Sequence, residues 1–287
     1  MKANNRHLLE LIIATFLIST SGPLGRFINL EAPVIIWWRC FFALIALFVY
    51  CKVKKIDLKI KQKKDWAPIA ISGIFTGLHW ITYFYALKLS NVALGMLSLY
   101  TFPVIIALLE PLFNKSKFNP IHVLLAILVF IGIYILVPDF DMNNQDLVGI
   151  LFGVVSALLF AIRILILKKH VKHYDGSMLM LHQLVIIVLL FSPIVVLMDS
   201  SNFNEVYPYL ILLAVFTTAM GHTMLVKSLN HFSATTASII SSLQPIYGII
   251  IAAFFLNEIP STNTYIGGII IIIAVVIETL RSRQKSK

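Results

Sequence analysis

Long apolar stretches alternate with short polar breaks along all 287 residues of this chain. Each stretch is long enough to cross a hydrocarbon core of about 30 Å as an α-helix. The ten stretches cover residues 8–28, 33–51, 66–87, 92–113, 120–138, 147–168, 177–198, 207–228, 234–256 and 264–280. They lack the polar–apolar alternation of barrel strands, and a helix satisfies its own backbone hydrogen bonds in lipid. The pattern therefore predicts an all-α polytopic membrane protein with ten transmembrane helices.

The composition agrees with this class. Hydrophobic residues make up 59% of the chain and charged residues only 13%. A soluble domain carries about 25% charged residues, because its surface must face water. Most of the surface of this protein is therefore expected to face hydrocarbon.

The positive charges are concentrated on one side of the predicted membrane. Of the 23 lysines and arginines, 18 fall in the N-terminus, in residues 52–64, 115–117 and 168–172, and in the tail after residue 280. Counting helices puts these regions on the same side, and cytoplasmic loops hold such an excess. The sequence thus predicts insertion in the cytoplasmic (inner) membrane with both termini inside. Because the charges are distributed in this way, the net charge of +10 does not indicate a nucleic-acid partner.

Neither a metal site nor a cofactor site is visible in the sequence. Cys40 and Cys51 lie eleven residues apart on one predicted helix, a separation of about 16 Å along its axis. This distance is too long for a disulfide, and the chain has no zinc-binding pattern. A glycine-rich phosphate loop is absent as well, which argues against ATP-driven pumping by this chain.

The second half of the chain weakly repeats the first. Residues 86–95 align with residues 228–237, and at the same offset a mid-helix proline is shared. We therefore divide the chain into two five-helix repeats, residues 1–142 and 143–287. An odd number of helices makes the second repeat enter the membrane from the opposite face. Inverted repeats of this kind characterise many secondary transporters, whose binding sites lie near the bilayer midplane.

The two related stretches, residues 86–114 and 228–258, resemble those of EamA-type transporters of the drug/metabolite transporter superfamily. The second ends in Leu-Asn-Glu, where Asn257 stands at a position at which the family more often has glycine. Residues 21–23 read Ser-Gly-Pro where the family often has Trp-Gly, which weakens inference about the substrate. The resemblance implies transport of amino acids, nucleotide-derived metabolites, vitamins or toxic compounds.

Arg39 is the strongest candidate for contact with a transported solute. It lies about six residues inside the second predicted helix, and polar groups within a span usually face a cavity or another helix. Its guanidinium could clamp a carboxylate or phosphate through paired hydrogen bonds. His182 and Gln183 in the seventh predicted helix occupy the depth expected of its counterpart. The alternative for Arg39 is a structural pair with a carbonyl or acidic group.

Histidine and aromatic residues of the third and eighth predicted helices form a second candidate group. His79 and His222 occupy nearly equivalent positions in the two repeats, and histidine could bind a substrate or take up a proton near neutral pH. Trp80 and Tyr83 could form a wall against which a planar or apolar substrate stacks. The alternatives are interhelical hydrogen bonds for the histidines and helix packing or an interfacial belt for the aromatic residues.

Two charged residues near the predicted cytoplasmic ends have less specific roles. Glu110 either couples protons to transport or pairs with Lys115 or Lys117, and the simple pairing is favoured. Arg163 is expected to extend its guanidinium towards the membrane surface, with a substrate role as the alternative.

Helix-breaking residues suggest where the helices bend. Gly22, Pro23, Pro103 and Pro245 are candidate hinges, because proline removes a helix hydrogen bond and glycine lowers helix stability. Pro103 and Pro245 correspond across the repeat. The fourth and ninth predicted helices are therefore expected to flex reciprocally.

Together these features predict a secondary transporter that exports a small organic metabolite, amino acid-like or a related compound, by alternating access. The alternatives are a channel or membrane scaffold and, less favoured, a membrane-embedded enzyme, for which an acid–histidine cluster or metal site would be expected. The fifth and tenth predicted helices carry almost no interior polar residues, and Gly267 and Gly268 permit close packing. These two helices are candidates for a homodimer contact.

Cysteine labelling in intact cells tests the predicted topology. With Cys40 and Cys51 replaced by alanine, a cysteine introduced in residues 139–146 is expected to react with a membrane-impermeant maleimide. One introduced in residues 168–172 should react only after permeabilisation, because the sixth predicted helix separates the two stretches. Labelling of both stretches from the same side would contradict the topology.

Overall fold

The computed structural model describes residues 2–114, 120–137 and 140–285, without the side chains of residues 2–5, 114, 234–235, 238–239 and 278–285. Helices hold 81% of the protein, and the described part contains no strand. The predicted all-α class is therefore confirmed.

Fifteen α-helices, one 3₁₀-helix and one π-helical segment make up the described chain. In chain order the α-helices are α1 (Lys2–Ser19), α2 (Ser21–Phe27), α3 (Ala32–Val53), α4 (Trp66–Leu89), α5 (Val92–Leu99), α6 (Phe102–Asn114), α7 (Ile121–Leu136), α8 (Gln145–His170), α9 (Gly176–Leu190), α10 (Ser192–Leu197), α11 (Phe203–Leu212), α12 (Thr223–Ser228), α13 (Ala234–Ser241), α14 (Gln244–Phe255) and α15 (Thr262–Lys285). The 3₁₀-helix spans Lys63–Asp65 and the π-helical segment spans Leu213–His222.

Five helical spans are long and apolar enough to cross a membrane: Arg6–Phe27, Ala32–Val53, Val92–Phe113, Gln145–His170 and Phe203–Ser228. Shorter apolar helices lie between and after them. Large hydrophobic side chains are exposed on many of these helices, including Phe254 and Val196, which are 80% and 81% exposed. Because water would disfavour such a surface, the protein is a multi-pass membrane protein.

Helix α4 lies in the interior of the bundle. It packs along α8 and also contacts α2, α3, α5 and α9. Three of its large side chains, Trp80, Phe84 and Leu87, are fully buried. The bundle is therefore built around the helix that carries the candidate aromatic wall.

Proline begins the second part of each interrupted span near the centre. Pro103 follows the break between α5 and α6, and Pro245 follows the break between α13 and α14. Pro23 lies in α2, directly after the turn at Thr20. Proline fits the first turn of a helix, because the backbone N–H it lacks has no intrahelical partner there. The helix breaks lie where the sequence predicts them, while bending at these breaks stays a prediction.

Gly22 allows a close approach beside one of these breaks. A Cβ atom at this position would lie 3.0 Å from both the Tyr83 hydroxyl and the Met96 sulfur. Gly22 therefore lets α2 pack directly against α4 and α5.

The eighth predicted stretch contains a π-helical segment that the sequence pattern does not reveal. It joins α11 to α12 and buries Thr217, Thr218 and His222. A π turn holds more residues than an α turn and often occurs at functional sites. The segment therefore directs several polar side chains towards the interior of the bundle.

Helices α7 and α15 pack against each other through glycine. A Cβ atom on Gly267 would come within 2.7 Å of the Gly132 carbonyl oxygen, and one on Gly132 within 2.7 Å of Ile271. Gly268 packs instead against Leu97. The predicted close packing at these glycines thus occurs within one chain, and the homodimer contact stays a prediction.

Replacing Gly267 with leucine should destabilise the protein. The larger side chain would force α7 and α15 apart, at a cost of about 1–3 kcal/mol. The measurement is the thermal unfolding midpoint of the purified protein in detergent. The matched control is Ile269→Leu, since Ile269 is exposed on the same helix; equal midpoints for the two variants would contradict the packing argument.

Candidate functional site

A small cavity lies at the centre of the bundle, beside the three helix breaks. Its wall is formed by Ile18, Ser21, His79, Trp80, Tyr83, Leu99, Tyr100, Phe102, Phe160, His222, Leu225, Ser241 and Gln244. The cavity volume is about 30 Å³, which is enough for a water molecule but not for a metabolite. The wall must therefore move apart before a solute can enter.

Arg39 lies behind the aromatic wall of this cavity and is fully buried. Its Nε donates a hydrogen bond to the Thr218 hydroxyl of the π-helical segment. Its guanidinium carbon lies 4.4 Å from the centre of the Trp80 ring and 5.7 Å from that of Phe84. These contacts hold the guanidinium against the aromatic wall.

Arg163 is also fully buried, so the expectation that its guanidinium reaches the membrane surface is wrong. Its Nη2 donates to Gln183 Oε1 at 3.0 Å, and Gln183 Nε2 donates to the Ser72 hydroxyl at 2.9 Å. The guanidinium carbon lies 5.6 Å from the Phe160 ring of the cavity wall. Polar partners on α4 and α9 thus retain Arg163 inside the bundle.

The two candidate histidines both reach the cavity but differ in their partners. His79 Nδ1 lies 2.7 Å from the Ser156 hydroxyl, which in turn donates to the His79 carbonyl at 2.8 Å. His222 lies with its ring 5.0 Å from Trp80, and its Nδ1 has no hydrogen-bond partner among the described residues. His79 therefore has a structural partner, whereas His222 keeps a free ring nitrogen beside the cavity.

Several buried N–H groups at this site lack an acceptor in the described part of the chain. They are Nη1 and Nη2 of Arg39, Nε and Nη1 of Arg163, and Nε1 of Trp80. Among the described residues, no carboxylate lies within 4.0 Å of either guanidinium. Buried polar groups are normally hydrogen-bonded. The centre is therefore rich in donors and poor in acceptors.

His182 does not join this group, although Gln183 does. Its Nδ1 lies 2.9 Å from the Met178 carbonyl oxygen, and its ring lies 6.1 Å from Trp66. Consecutive residues on a helix point about 100° apart, so His182 faces a lateral apolar groove while Gln183 faces inward.

Glu110 lies outside the central cavity. It is half-buried on α6 and is not among the residues that line the cavity. The predicted partners Lys115 and Lys117 lie outside the described residues. Proton coupling and the simple pairing both stay predictions.

A second polar cluster, here called the Arg26 clasp, is formed by Arg26, Leu87, Lys88, Val92 and Glu258. Arg26 Nε donates to Glu258 Oε1 at 3.0 Å, and its Nη1 donates to the carbonyls of Leu87 and Lys88 at 3.2 and 2.6 Å. The backbone N–H of Val92 donates to Glu258 Oε2 at 2.8 Å. The clasp therefore ties the ends of α2 and α4 and the start of α5 to the loop after α14.

Asn257 explains why the chain turns towards this clasp. It adopts φ 55°, in the left-handed region that glycine and asparagine tolerate best. This conformation lies directly after α14 and just before Glu258. Asparagine can therefore adopt the backbone conformation needed at this position, where the family that the chain resembles more often has glycine.

The Lys168 clasp is a related cluster formed by Lys168, Leu229 and Phe232. Lys168 Nζ donates to the carbonyls of Leu229 and Phe232, both at 2.6 Å. At the offset that aligns residues 86–95 with residues 228–237, Lys168 corresponds to Arg26 and Leu229 corresponds to Leu87. A basic side chain near the end of one helix thus binds one corresponding carbonyl in each part of the chain, that of Leu87 or that of Leu229.

A hydrogen-bonded pair lies in the loops near the end of α8. The Tyr174 hydroxyl donates to Asp65 Oδ2 at 2.7 Å. This hydrogen bond to the Asp65 carboxylate raises the pKa of Tyr174, because loss of the proton would put two negative oxygens together. The pair joins the loop after α8 to the start of α4.

Sequence reasoning missed Thr218 and the partner side chains Ser72 and Ser156. Serine and threonine are common in apolar helices, where their hydroxyls usually bond to the preceding turn, so their presence alone carries no signal. For Arg163, one signal was its depth within the helix. It lies seven residues before the end of α8 at His170, inside the span rather than at its end.

Known proteins resemble this chain along its length. The family model of the EamA-like transporter family matches residues 6–137 and 147–280. The uncharacterized transporter YxxF of Bacillus subtilis is 22% identical, covering 99% of this chain and 93% of that protein. The pseudopaline exporter CntI of Pseudomonas aeruginosa is 22% identical, covering 92% of each chain. An uncharacterized transporter of Archaeoglobus fulgidus is 23% identical, covering 93% and 94%.

A solved crystal structure of a protein shares the fold, with a TM-score of 0.73, 15% sequence identity and coverage of 99% of both chains. The family matches confirm the resemblance drawn from the two related stretches. Since they cover most of the sequence, the chain belongs to the EamA-like transporter family.

Proposed function

We propose that this protein is a secondary transporter that exports a small organic metabolite, amino acid-like or a related compound, across the cytoplasmic membrane. Transport proceeds by alternating access through ten transmembrane helices, with both termini in the cytoplasm. The observation that carries the proposal is the buried polar centre around Arg39, Arg163 and His222, enclosed by an apolar bundle. Ionisable residues inside a membrane protein generally mark a substrate or ion pathway.

The proposal treats residues 1–142 and 143–287 as two inverted five-helix repeats. Two correspondences at the same offset support it: the breaks α5–α6 and α13–α14, and the basic residues Arg26 and Lys168. A site between inverted repeats can be exposed to either side by rocking one repeat against the other.

The central cavity provides the binding site in this mechanism. At about 30 Å³ it is too small for a metabolite, so the present conformation is contracted around the site. Helix breaks at Pro23, Pro103 and Pro245 border the cavity and are the proposed hinges. Movement at these breaks would enlarge the cavity without breaking the long helices α4 and α8.

The Arg26 clasp supplies a gate in this mechanism. Arg26 and Val92 belong to the first repeat, whereas Glu258 belongs to the second, so the carboxylate joins the two repeats at one end. Opening this end requires these bonds to break. The Lys168 clasp lies within the second repeat and holds α8 to the connection between α12 and α13.

A channel or scaffold is the second candidate, and a central cavity too small for a metabolite favours a carrier over a channel. The transporters that resemble this chain, including an exporter, agree with that choice. An enzyme is not proposed, since family membership gives no support for catalysis.

Counterflow in proteoliposomes tests the transport proposal. Vesicles loaded with an unlabelled amino acid or organic acid should transiently accumulate the labelled solute, with saturation. A carrier exchanges solute on both sides, whereas a channel only equilibrates it. Trp80→Ala, which removes the cavity wall, should reduce the rate at least tenfold, and Phe254→Ala, on the exposed surface, should not. Absence of counterflow for all solutes that bind would contradict a carrier.

Glu258→Ala should favour the conformation that is open at the Arg26 clasp. Loss of a charge-assisted hydrogen bond costs about 1.5–3 kcal/mol, so exposure of the cavity from that side should rise about tenfold or more. The measurement is the rate at which a cysteine at Ser21, in the cavity wall, reacts with an impermeant maleimide.

The reporter background carries Cys40→Ala and Cys51→Ala, which leave a single thiol. Glu205→Ala is the matched control, because Glu205 is exposed and lies outside the clasp. An unchanged labelling rate in Glu258→Ala would show that the clasp does not act as a gate.

A further inference from the structure

The two buried arginines carry positive charges that no described residue neutralises. Arg39 and Arg163 are both 0% exposed. Their hydrogen-bond partners are Thr218, Met180 and Gln183, all of which are neutral. Two positive charges therefore share an apolar interior with no acidic partner among the described residues.

Loss of a proton does not remove the buried charge of either arginine. The guanidinium keeps its charge in proteins. A buried charge is strongly unfavourable unless it is paired and hydrogen-bonded. A negative charge from outside the described chain is therefore needed to stabilise the centre.

We propose that the transported solute supplies this charge: a small organic anion with a carboxylate or phosphate group and no ammonium group. The inference rests on the proposed function, because it assigns a substrate class to the same central site. It narrows the proposed amino acid-like class to anionic relatives.

The free donors at the site suit an anion of this shape. Arg39 has two unpartnered nitrogens, Nη1 and Nη2, and Arg163 has Nε and Nη1. The Nη1 and Nη2 groups of Arg39 lie on one guanidinium edge and match the two oxygens of a carboxylate or phosphate. The Nε and Nη1 groups of Arg163 lie on different edges, so each can add a single hydrogen bond. The unpartnered Nε1 of Trp80 adds a further donor beside Arg39.

An ammonium group would be disfavoured at the same place. It would lie near two guanidinium groups of like charge, and charges repel strongly where water is excluded. In the described part of the chain, the cavity wall offers only neutral acceptors such as Ser21 and Gln244. The site should therefore discriminate against zwitterionic amino acids and against amines.

The rest of the cavity wall suits an apolar body attached to the anion. Leu99, Phe102, Phe160 and Leu225 face the cavity and have no polar side-chain atoms. A phenyl ring on a short chain would pack against them once the cavity widens. This combination suggests a simple set of probes that differ only in charge.

Binding of three matched compounds to the purified protein tests the inference. The compounds are 3-phenylpropionate, phenylalanine and phenethylamine, and phenyl phosphate separates the two kinds of acidic group. The anions should bind at least tenfold more tightly than phenylalanine, and phenethylamine should not bind. Absence of binding by both anions, or equal affinity for phenylalanine, would overturn the proposal.

Variants separate a binding role from a structural one. Arg39→Gln and Arg163→Gln should each weaken anion binding at least tenfold, whereas Lys52→Gln, at the exposed end of α3, should not. Without ligand, both glutamine variants should unfold at the same or a higher temperature, because an unpaired buried charge has been removed. A lower midpoint with unchanged affinity would assign the arginines to folding and overturn the inference.

Should a glutamine variant fail to fold, the lysine variant at that position gives the decisive result. Lysine keeps the charge but lacks the paired N–H edge. It should retain selection against phenethylamine while binding the carboxylate more weakly than wild type. If the lysine variant bound the carboxylate as tightly as the wild type and also bound phenethylamine, the inference would be overturned.

Counterflow distinguishes failure of this inference from failure of the proposed function. Exchange of labelled phenylalanine or phenethylamine, but not of 3-phenylpropionate, would retain the transporter and overturn the anion site. Tight anion binding without counterflow of any compound would retain the anion site and contradict transport. Exchange of 3-phenylpropionate that is lost in Arg163→Gln supports both.

Discussion

The need to satisfy polar groups where no water is present governs this structure. Many buried hydroxyls meet it locally: Thr15, Ser98 and Thr217 each donate to a carbonyl of the preceding turn of their own helix. Arg39 and Arg163 differ, because their neutral neighbours satisfy only part of each guanidinium. Within the described part of the chain, these two charged groups have the largest unmet need for hydrogen bonds, and they lie where the function is proposed.

The helices were predictable because length and apolarity are strong signals over about 20 residues. The predicted stretch 33–51 corresponds to the helix Ala32–Val53, and the predicted stretch 147–168 corresponds to the helix Gln145–His170. The breaks before Pro103 and Pro245 were predictable for an equally local reason, since proline lacks the donor that an unbroken helix needs. The π-helical segment was not, because residues 213–222 carry no comparable local signal in the sequence; the segment packs against α1 and α3.

The residue types of the cavity wall were predictable, whereas the directions of the side chains were less predictable. His79, Trp80, Tyr83 and His222 all reach the cavity, as their depth suggested. Depth along a helix does not say which way a side chain points, so neighbouring His182 faces a lateral groove instead. Arg163 was misjudged for the same reason: an arginine near a helix end extends outward only if the interior offers it nothing. Here Gln183, itself held by Ser72, gives it an inward partner.

The Arg26 clasp and the Lys168 clasp differ in how many side chains their hydrogen bonds require. Lys168 bonds to main-chain carbonyls, which every residue type carries, so substitutions at positions 229 and 232 leave the acceptors in place. The bond between Arg26 and Glu258, by contrast, needs two side chains, so a substitution at either position removes it. Two positions, 26 and 258, can therefore each weaken the Arg26 clasp, whereas only a change at position 168 removes the donor of the Lys168 clasp.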